Sequence, residues 1–156
     1  MIKNSAGLLL YRFKKGAIEV LLVHPGGPFW AKKDVGSWSI PKGEIEEDED
    51  PLKAAARETQ EETGIHVHTI NAMPLTAAKQ KSGKIIYAWA IEGDFEINEI
   101  KSNLFEMEWP PKSGKKQFFA EVDKASWLTI DDAIRKIVPG QLPLINELNA
   151  KLEKRN

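Results

Sequence analysis

Apolar side chains come in short blocks along this chain, and the spacing inside each block predicts its conformation. "SAGLLLYRF" (5–13) and "AIEVLLVH" (17–24) flank the polar turn "KKGA", the pattern of two strands joined as a hairpin. "PGGPFWAKKDVG" (25–36) is dense in Gly and Pro and predicts a loop, followed by a short strand "SWSI" ended by Pro41. Farther on, "IHVHTI" (65–70), "PLTAAKQ" (74–80) and "KIIYAWAIEG" (84–93) have strand character, with "KSG" turning between the last two. "EMEWPPKSGKKQ" (106–117) carries adjacent prolines and a lysine cluster, so a long loop between extended segments is expected, and "EVDKASWLTI" (121–130) leads into another strand.

The helical pattern is sharpest at 51–63. Asp50 is a good N-cap, and Pro51 suits the first helical position because its missing N–H has no helical partner there. "LKAAARETQEET" supplies strong helix formers, and Gly64 stands where a left-handed residue closes a helix. Near the end, Asp131 is placed to cap a short helix "DAIRKIV" that stops before Pro139. "LPLINELNAKLEKR" (142–155) then has helical periodicity and a basic end suited to its own dipole. With no internal repeat, low-complexity tract or linker, residues 1–156 are expected to form one α+β domain with a mixed sheet.

Composition narrows the chemistry. The 22 basic and 23 acidic residues nearly cancel, so no global charge excess points to nucleic acid or an anionic membrane as the main partner. The chain has no cysteine, which removes disulfides, thiolate zinc sites and cysteine nucleophiles. The apolar run near the start reaches only from Ala6 to Leu10, too short for a signal-peptide core or a membrane span of ~20 residues. A cytoplasmic protein is the expectation.

Charge matters locally. Six of the seven residues from Glu44 to Asp50 are acidic, and Glu58, Glu61 and Glu62 follow on the predicted helix. Their i, i+3, i+4 spacing puts three carboxylates on one face, where like charges repel. Two readings account for that: a solvated acidic face, or a ligand set for a hard divalent cation such as Mg²⁺, which prefers oxygen donors. A calcium loop of the EF-hand type does not fit, because Pro51 and the alanine run stand where ligands and the turn glycine belong. The alternation of His66 and His68 reads as one face of a strand.

The longer pattern adds to this. Gly43, five residues, Glu49, seven residues, then Arg57-Glu58-Thr59-Gln60-Glu61-Glu62-Thr63-Gly64-Ile65 resembles the Nudix box of the Nudix hydrolases, matching its seven fixed positions within 23 residues. The departure is Thr59, where the box carries a bulky aliphatic residue. "WSIPKGE" (38–44) is similar to the lead-in of Nudix enzymes acting on diadenosine or diphosphoinositol polyphosphates, and nearly the whole chain looks like a bacterial group of NTP pyrophosphohydrolases.

The resemblance implies an α/β/α sandwich with a mixed sheet and metal-dependent hydrolysis of a diphosphate linkage in a small phosphorylated substrate. It implies Glu58, Glu61 and Glu62 as ligands of Mg²⁺ (Mn²⁺ is the other candidate), with Gly43 letting the backbone turn and approach the metal. Glu58, or a water it holds, is the candidate base, and Arg57 reaches back to Glu49 to tie the acidic loop to the helix. Lys42 is the candidate phosphate contact. A further metal-binding carboxylate after the central strands is matched best by Glu121, ahead of Glu106 and Glu108. Phe29, Trp30, Tyr87, Trp89 and Trp109 are the aromatic residues available to stack a base. Two other classes fit the pattern: a nucleotide-binding regulatory module without turnover, and a hydrolase of a diphosphoinositol, sugar or isoprenoid diphosphate. For the inositol case the lysines of "KSGKK" (112–116) would be the phosphate cluster.

Overall fold

A computed structural model describes residues 3–97, 100 and 102–154. Strands β1 (Ser5–Lys14) and β2 (Ala17–Pro25) form the expected hairpin, turning on Lys15 and Gly16 at φ of 51° and 81°. The lower half of β1 pairs instead with β3 (Lys42–Glu44), placing Ala6 opposite Gly43. Helix α1 (Pro51–Thr63) follows. Its N-cap Asp50 accepts the Lys53 N–H, and Gly64 closes it at φ 79°.

Two brief pairings, β4 (Met73–Pro74) and β5 (Ala78–Lys79), both lie against β6 (Ile85–Glu92), which runs parallel to β1. After them come β7 (Leu104–Glu108), β8 (Lys116–Ala120) and β9 (Val122–Thr129). The chain ends in α2 (Ile130–Lys136), a 3₁₀ turn at Pro139–Gln141, and α3 (Leu142–Glu153).

The main sheet has seven strands, ordered β4-β6-β1-β2-β9, with β3 and β5 attached to β1 and β6. Alternation along β1 divides the core into two layers, since successive side chains of a strand point to opposite faces. Ala6, Leu8 and Leu10 pack with Ala54 and Ala55 of α1, while Leu9 and Tyr11 pack with Ala133 of α2 and with Leu144, Ile145, Leu148 and Leu152 of α3. Helices thus cover both faces of a mixed sheet, the α/β/α sandwich. No helix of the described residues is long and apolar enough to cross a membrane.

Several sequence expectations change. Residues 65–70 join no ladder: Ile65 and Val67 are buried, His66 and His68 exposed, so the alternation reports burial without a partner strand. "SWSI" makes only isolated bridges, Ser39 with Val23 and Trp38 with Ile137. The expected loop at 106–117 is largely a hairpin, because β7 pairs β8 and both prolines sit in the turn, where no ladder N–H is needed. Thr129, rather than Asp131, caps α2 by accepting the Asp132 N–H at 3.2 Å, which leaves Asp131 in the first turn. The last residues of the expected helix at 142–155 include Arg155, which lies outside the described residues.

Candidate functional site

Helix α1 buries one flank against the sheet and carries charged side chains on the other. Ala54, Ala55, Thr59 and Thr63 face the sheet. Thr59 is fully buried, but its hydroxyl donates to the Ala55 carbonyl at 2.8 Å, so a polar atom stands in this apolar layer without an unmet hydrogen bond. The opposite flank carries Arg57, Glu58, Glu61 and Glu62.

Arg57 organises that flank. Its Nε and Nη2 donate to the two oxygens of Glu49 at 2.8 and 2.9 Å, while Nη1 donates to Glu58 at 2.8 Å and to Glu61 at 3.2 Å. Nη2 also reaches the Glu44 carbonyl at 3.1 Å. One guanidinium therefore fastens the acidic loop to the helix and holds two further carboxylates. These bonds push Arg57 far above the ordinary arginine range, and the Arg57 hydrogen bond holds Glu49 below its ordinary value.

Gly43 lies within β3 rather than at a sharp turn. A Cβ there would run into the carboxylate of Glu58, so glycine is what lets this side chain lie against the strand. From the same strand, the Lys42 N–H donates to Glu62 at 3.2 Å. Burial lowers the Lys42 ammonium, with the neighbouring charge of Lys84 adding to the effect. Burial also raises Glu62 to about 8, against the pull of Lys42. Glu58 is raised mainly by burial and then by Glu61, and Glu121 by burial and then by Glu61. Glu121 also raises Glu58 and Glu62, so the end of the β8–β9 connection brings a fourth carboxylate into the field of the helix. Glu106 is engaged elsewhere, 3.6 Å from Lys116 in the hairpin, and Glu108 is exposed on β7.

Glu58, Glu61, Glu62 and Glu121, with Gly43 beside them, are the groups that could hold a hard cation. Their chemistry fits one: every side-chain donor is oxygen, and burial with mutual repulsion keeps three of the four carboxyls above their ordinary values, a strain that bound positive charge relieves. Among the described residues, no three His, Cys, Asp or Glu side chains already converge as a cage. Arg57 occupies Glu58 and Glu61, and Lys42 faces Glu62.

Lys42, Glu62 and Glu121 line one pocket of about 300 Å³, together with Trp30, Ser39, Gln80 and Gln141. Three residues that shape its surroundings were missed in the sequence. Gln141 is fully buried and accepts the Ile40 N–H at 2.9 Å while donating to the Ser39 hydroxyl at 3.0 Å. His24 is also fully buried, with Nδ1 2.9 Å from Asp123 and Nε2 2.6 Å from the Lys33 carbonyl. A histidine that closes an apolar strand directly before a Gly-Pro loop was the one available hint. Its partner Asp123 lies 99 residues away.

The chain is similar to several known proteins. The chain is 31% identical over 112 residues to Nudix hydrolase 7 of Arabidopsis thaliana, covering 69% of this chain and 38% of that protein. It is 29% identical to the asymmetrical bis(5'-nucleosyl)-tetraphosphatase of Rattus norvegicus, over 99% of this chain and 93% of that one. For other curated relatives the match reaches about half their length, 43% for a Caenorhabditis elegans tetraphosphatase and 57% for a Bartonella tribocorum RNA pyrophosphohydrolase. Among solved structures, a C. elegans Ap4A hydrolase binary complex superposes with a TM-score of 0.63 at 26% identity, over 98% of this chain and 99% of that one. The sequence model of the NUDIX domain matches residues 1–148, and with the sandwich and the box helix both in place, the chain belongs to the NUDIX domain family.

Proposed function

We propose that this chain is a metal-dependent pyrophosphohydrolase that cleaves a P–O–P linkage of a nucleoside polyphosphate and releases a nucleotide. Dinucleoside polyphosphates rank ahead of simple NTPs. The observation that carries the reading is the shared pocket: a lysine from the strand before the helix, a carboxylate from the helix and a carboxylate from the β8–β9 connection all line it. Relatives named for tetraphosphatase and RNA pyrophosphohydrolase activity support the same bond class.

Water attacks one phosphorus and the other phosphate leaves. When bound at the carboxylates, Mg²⁺ or Mn²⁺ supplies charge neutralisation for phosphate oxygens and lowers the pKa of water. Lys42 offers its ammonium to the phosphate chain from the pocket wall. Glu58, held against Gly43 and oriented by Arg57, is the candidate proton acceptor, directly or through a water. Arg57 and Glu49 keep the acidic loop in register with the helix. The substrate is a small phosphorylated molecule, and a cytoplasmic setting belongs to the same proposal.

A panel of dinucleoside polyphosphates, NTPs, sugar diphosphates, isoprenoid diphosphates and diphosphoinositols, incubated with Mg²⁺ and resolved by chromatography, tests this. Nucleotide release from the first two classes is expected. Cleavage confined to the other classes would overturn the substrate, and nucleotide binding without turnover would overturn the enzyme.

A further inference from the structure

Of the five aromatic residues available for base stacking, Trp30 alone lines the pocket that holds Lys42, Glu62 and Glu121. Trp89 packs against the apolar layer under α1, and Trp109 sits at the turn of the β7–β8 hairpin. The loop between β2 and β3 that carries Trp30 is fixed at several points along its length. Gly26 N–H donates to the Glu121 carbonyl at 2.9 Å, and a Cβ on Gly26 would collide with the Ala120 carbonyl. The Lys33 carbonyl is held by buried His24, and Asp34 accepts the Trp38 indole N–H at 2.7 Å and lies 3.2 Å from Lys136.

The indole is also braced from outside the pocket. Phe29 meets it edge-on, with centroids 5.0 Å apart and planes at 83°. Lys33 Nζ lies 3.7 Å from the Phe29 ring and 4.9 Å from the Trp30 ring. A flat, polarisable wall held by its backbone and braced by a second ring is pre-organised for a planar ligand, because little side-chain freedom is left to lose on binding. The remaining lining supplies apolar contact from Val23 and Val138 and a hydrogen-bonding amide from Gln80. The volume of about 300 Å³ suits one ring system and part of a phosphate chain.

We infer that Trp30 is the nucleobase-stacking wall of this pocket, and that the anchored loop carrying it, rather than Tyr87, Trp89 or Trp109, determines selectivity for a nucleoside over other diphosphates. The inference rests on the proposed nucleotide reading and names the residue that enforces it. His24 acts here as a positioning residue, through the Lys33 carbonyl.

The test compares ADP with inorganic tripolyphosphate, which carries phosphate charge and no base. Binding of each is measured by titration calorimetry with Ca²⁺ present to neutralise the phosphate oxygens and with the ligands verified intact by chromatography, for the wild-type chain, Trp30→Ala and Trp30→Phe, after thermal melts establish that the variants fold. Trp30→Ala should weaken ADP at least roughly tenfold and leave tripolyphosphate unchanged, and Trp30→Phe should recover most of the loss. ADP should also quench intrinsic fluorescence in the wild-type chain and much less in Trp30→Phe. Equal weakening of both ligands, or of neither, overturns the stacking role while leaving the hydrolase reading intact. Absence of ADP binding to the wild-type chain overturns the stacking role together with the nucleotide substrate. If neither variant folds, the same titrations on His24→Gln decide: a selective loss for ADP supports the placed loop, and unchanged affinity for both ligands rejects it.

Discussion

Arg57 and Glu49 meet as a two-pronged pair, each carboxylate oxygen receiving its own N–H at 2.8 and 2.9 Å. Because the same guanidinium holds Glu58 and Glu61, the pair sets where the acidic flank of α1 points.

The two residues should therefore behave as one unit. Arg57→Ala is expected to lower kcat/KM by at least ~10-fold, and adding Glu49→Ala should deepen the loss little. Arg57→Lys should not rescue, since an ammonium cannot reproduce the fork. A double-variant cycle on hydrolysis measures this, and fully additive losses would refute it.

Glu61→Gln, Glu62→Gln and Glu121→Gln should each reduce turnover, by at least ~10²-fold for the two helix residues. In chelator the stability should move the other way. Glu62 is kept protonated to about 8 by burial, so its ionisation opposes folding, and Gln removes that penalty. A melt at pH 8 in EDTA should place Glu62→Gln a few degrees above the wild-type chain, about 2 °C or more. A lower melting temperature would contradict the assignment of strain to this carboxyl.

Gln141→Ala leaves the buried Ile40 N–H without its acceptor, and Ser39 loses a donor. Such a loss costs about 1–3 kcal/mol. Urea denaturation should show it with an unchanged m-value, and a stability within error of wild type would mean that water or another group replaces the amide.

Asp34 gives a pH signature to the Trp30 loop. The Trp38 indole N–H, then Lys136, hold its carboxyl below the ordinary value. A depressed carboxyl stabilises above its unfolded pKa and loses that contribution as pH falls through its folded pKa. The Trp38 indole resonance should thus be constant at neutral pH and titrate only in the acid range, below about 3.8. The Asp34→Asn chain should lack that step. A midpoint above the ordinary carboxylate value would exclude the contact in solution.

Where one helical turn or one strand pair carries the information, the sequence was enough to read it. Asp50, Pro51 and Gly64 marked both ends of α1, and the lysine-glycine turn marked the first hairpin. The shared face of Glu58, Glu61 and Glu62 was legible because i, i+3, i+4 spacing is a property of a helix, whereas Gly43 and Glu49 lie outside α1 and were read from the family resemblance. What failed required a partner that local pattern does not encode. Ile65 and Val67 are buried without a ladder, and the prolines of the second hairpin hid two strands whose pairing spans them. His24 with Asp123, and Gln141 with Ile40, join positions about a hundred residues apart, so no window of the sequence contains both members.

Helix α3 closes one face of the core, with Leu144, Ile145 and Leu148 entirely inaccessible and packed in the same layer as Leu9 and Ile86. During synthesis the acidic box emerges some eighty residues before that cover exists. The parallel join of β1 to β6 must likewise wait for a distant strand. A nascent chain halted before Leu142 would hold the complete box and every strand of the sheet, with the apolar face that α3 covers open to chaperones. The box is made early in the chain, whereas Glu121 and the helix that covers the other face of the sheet come late.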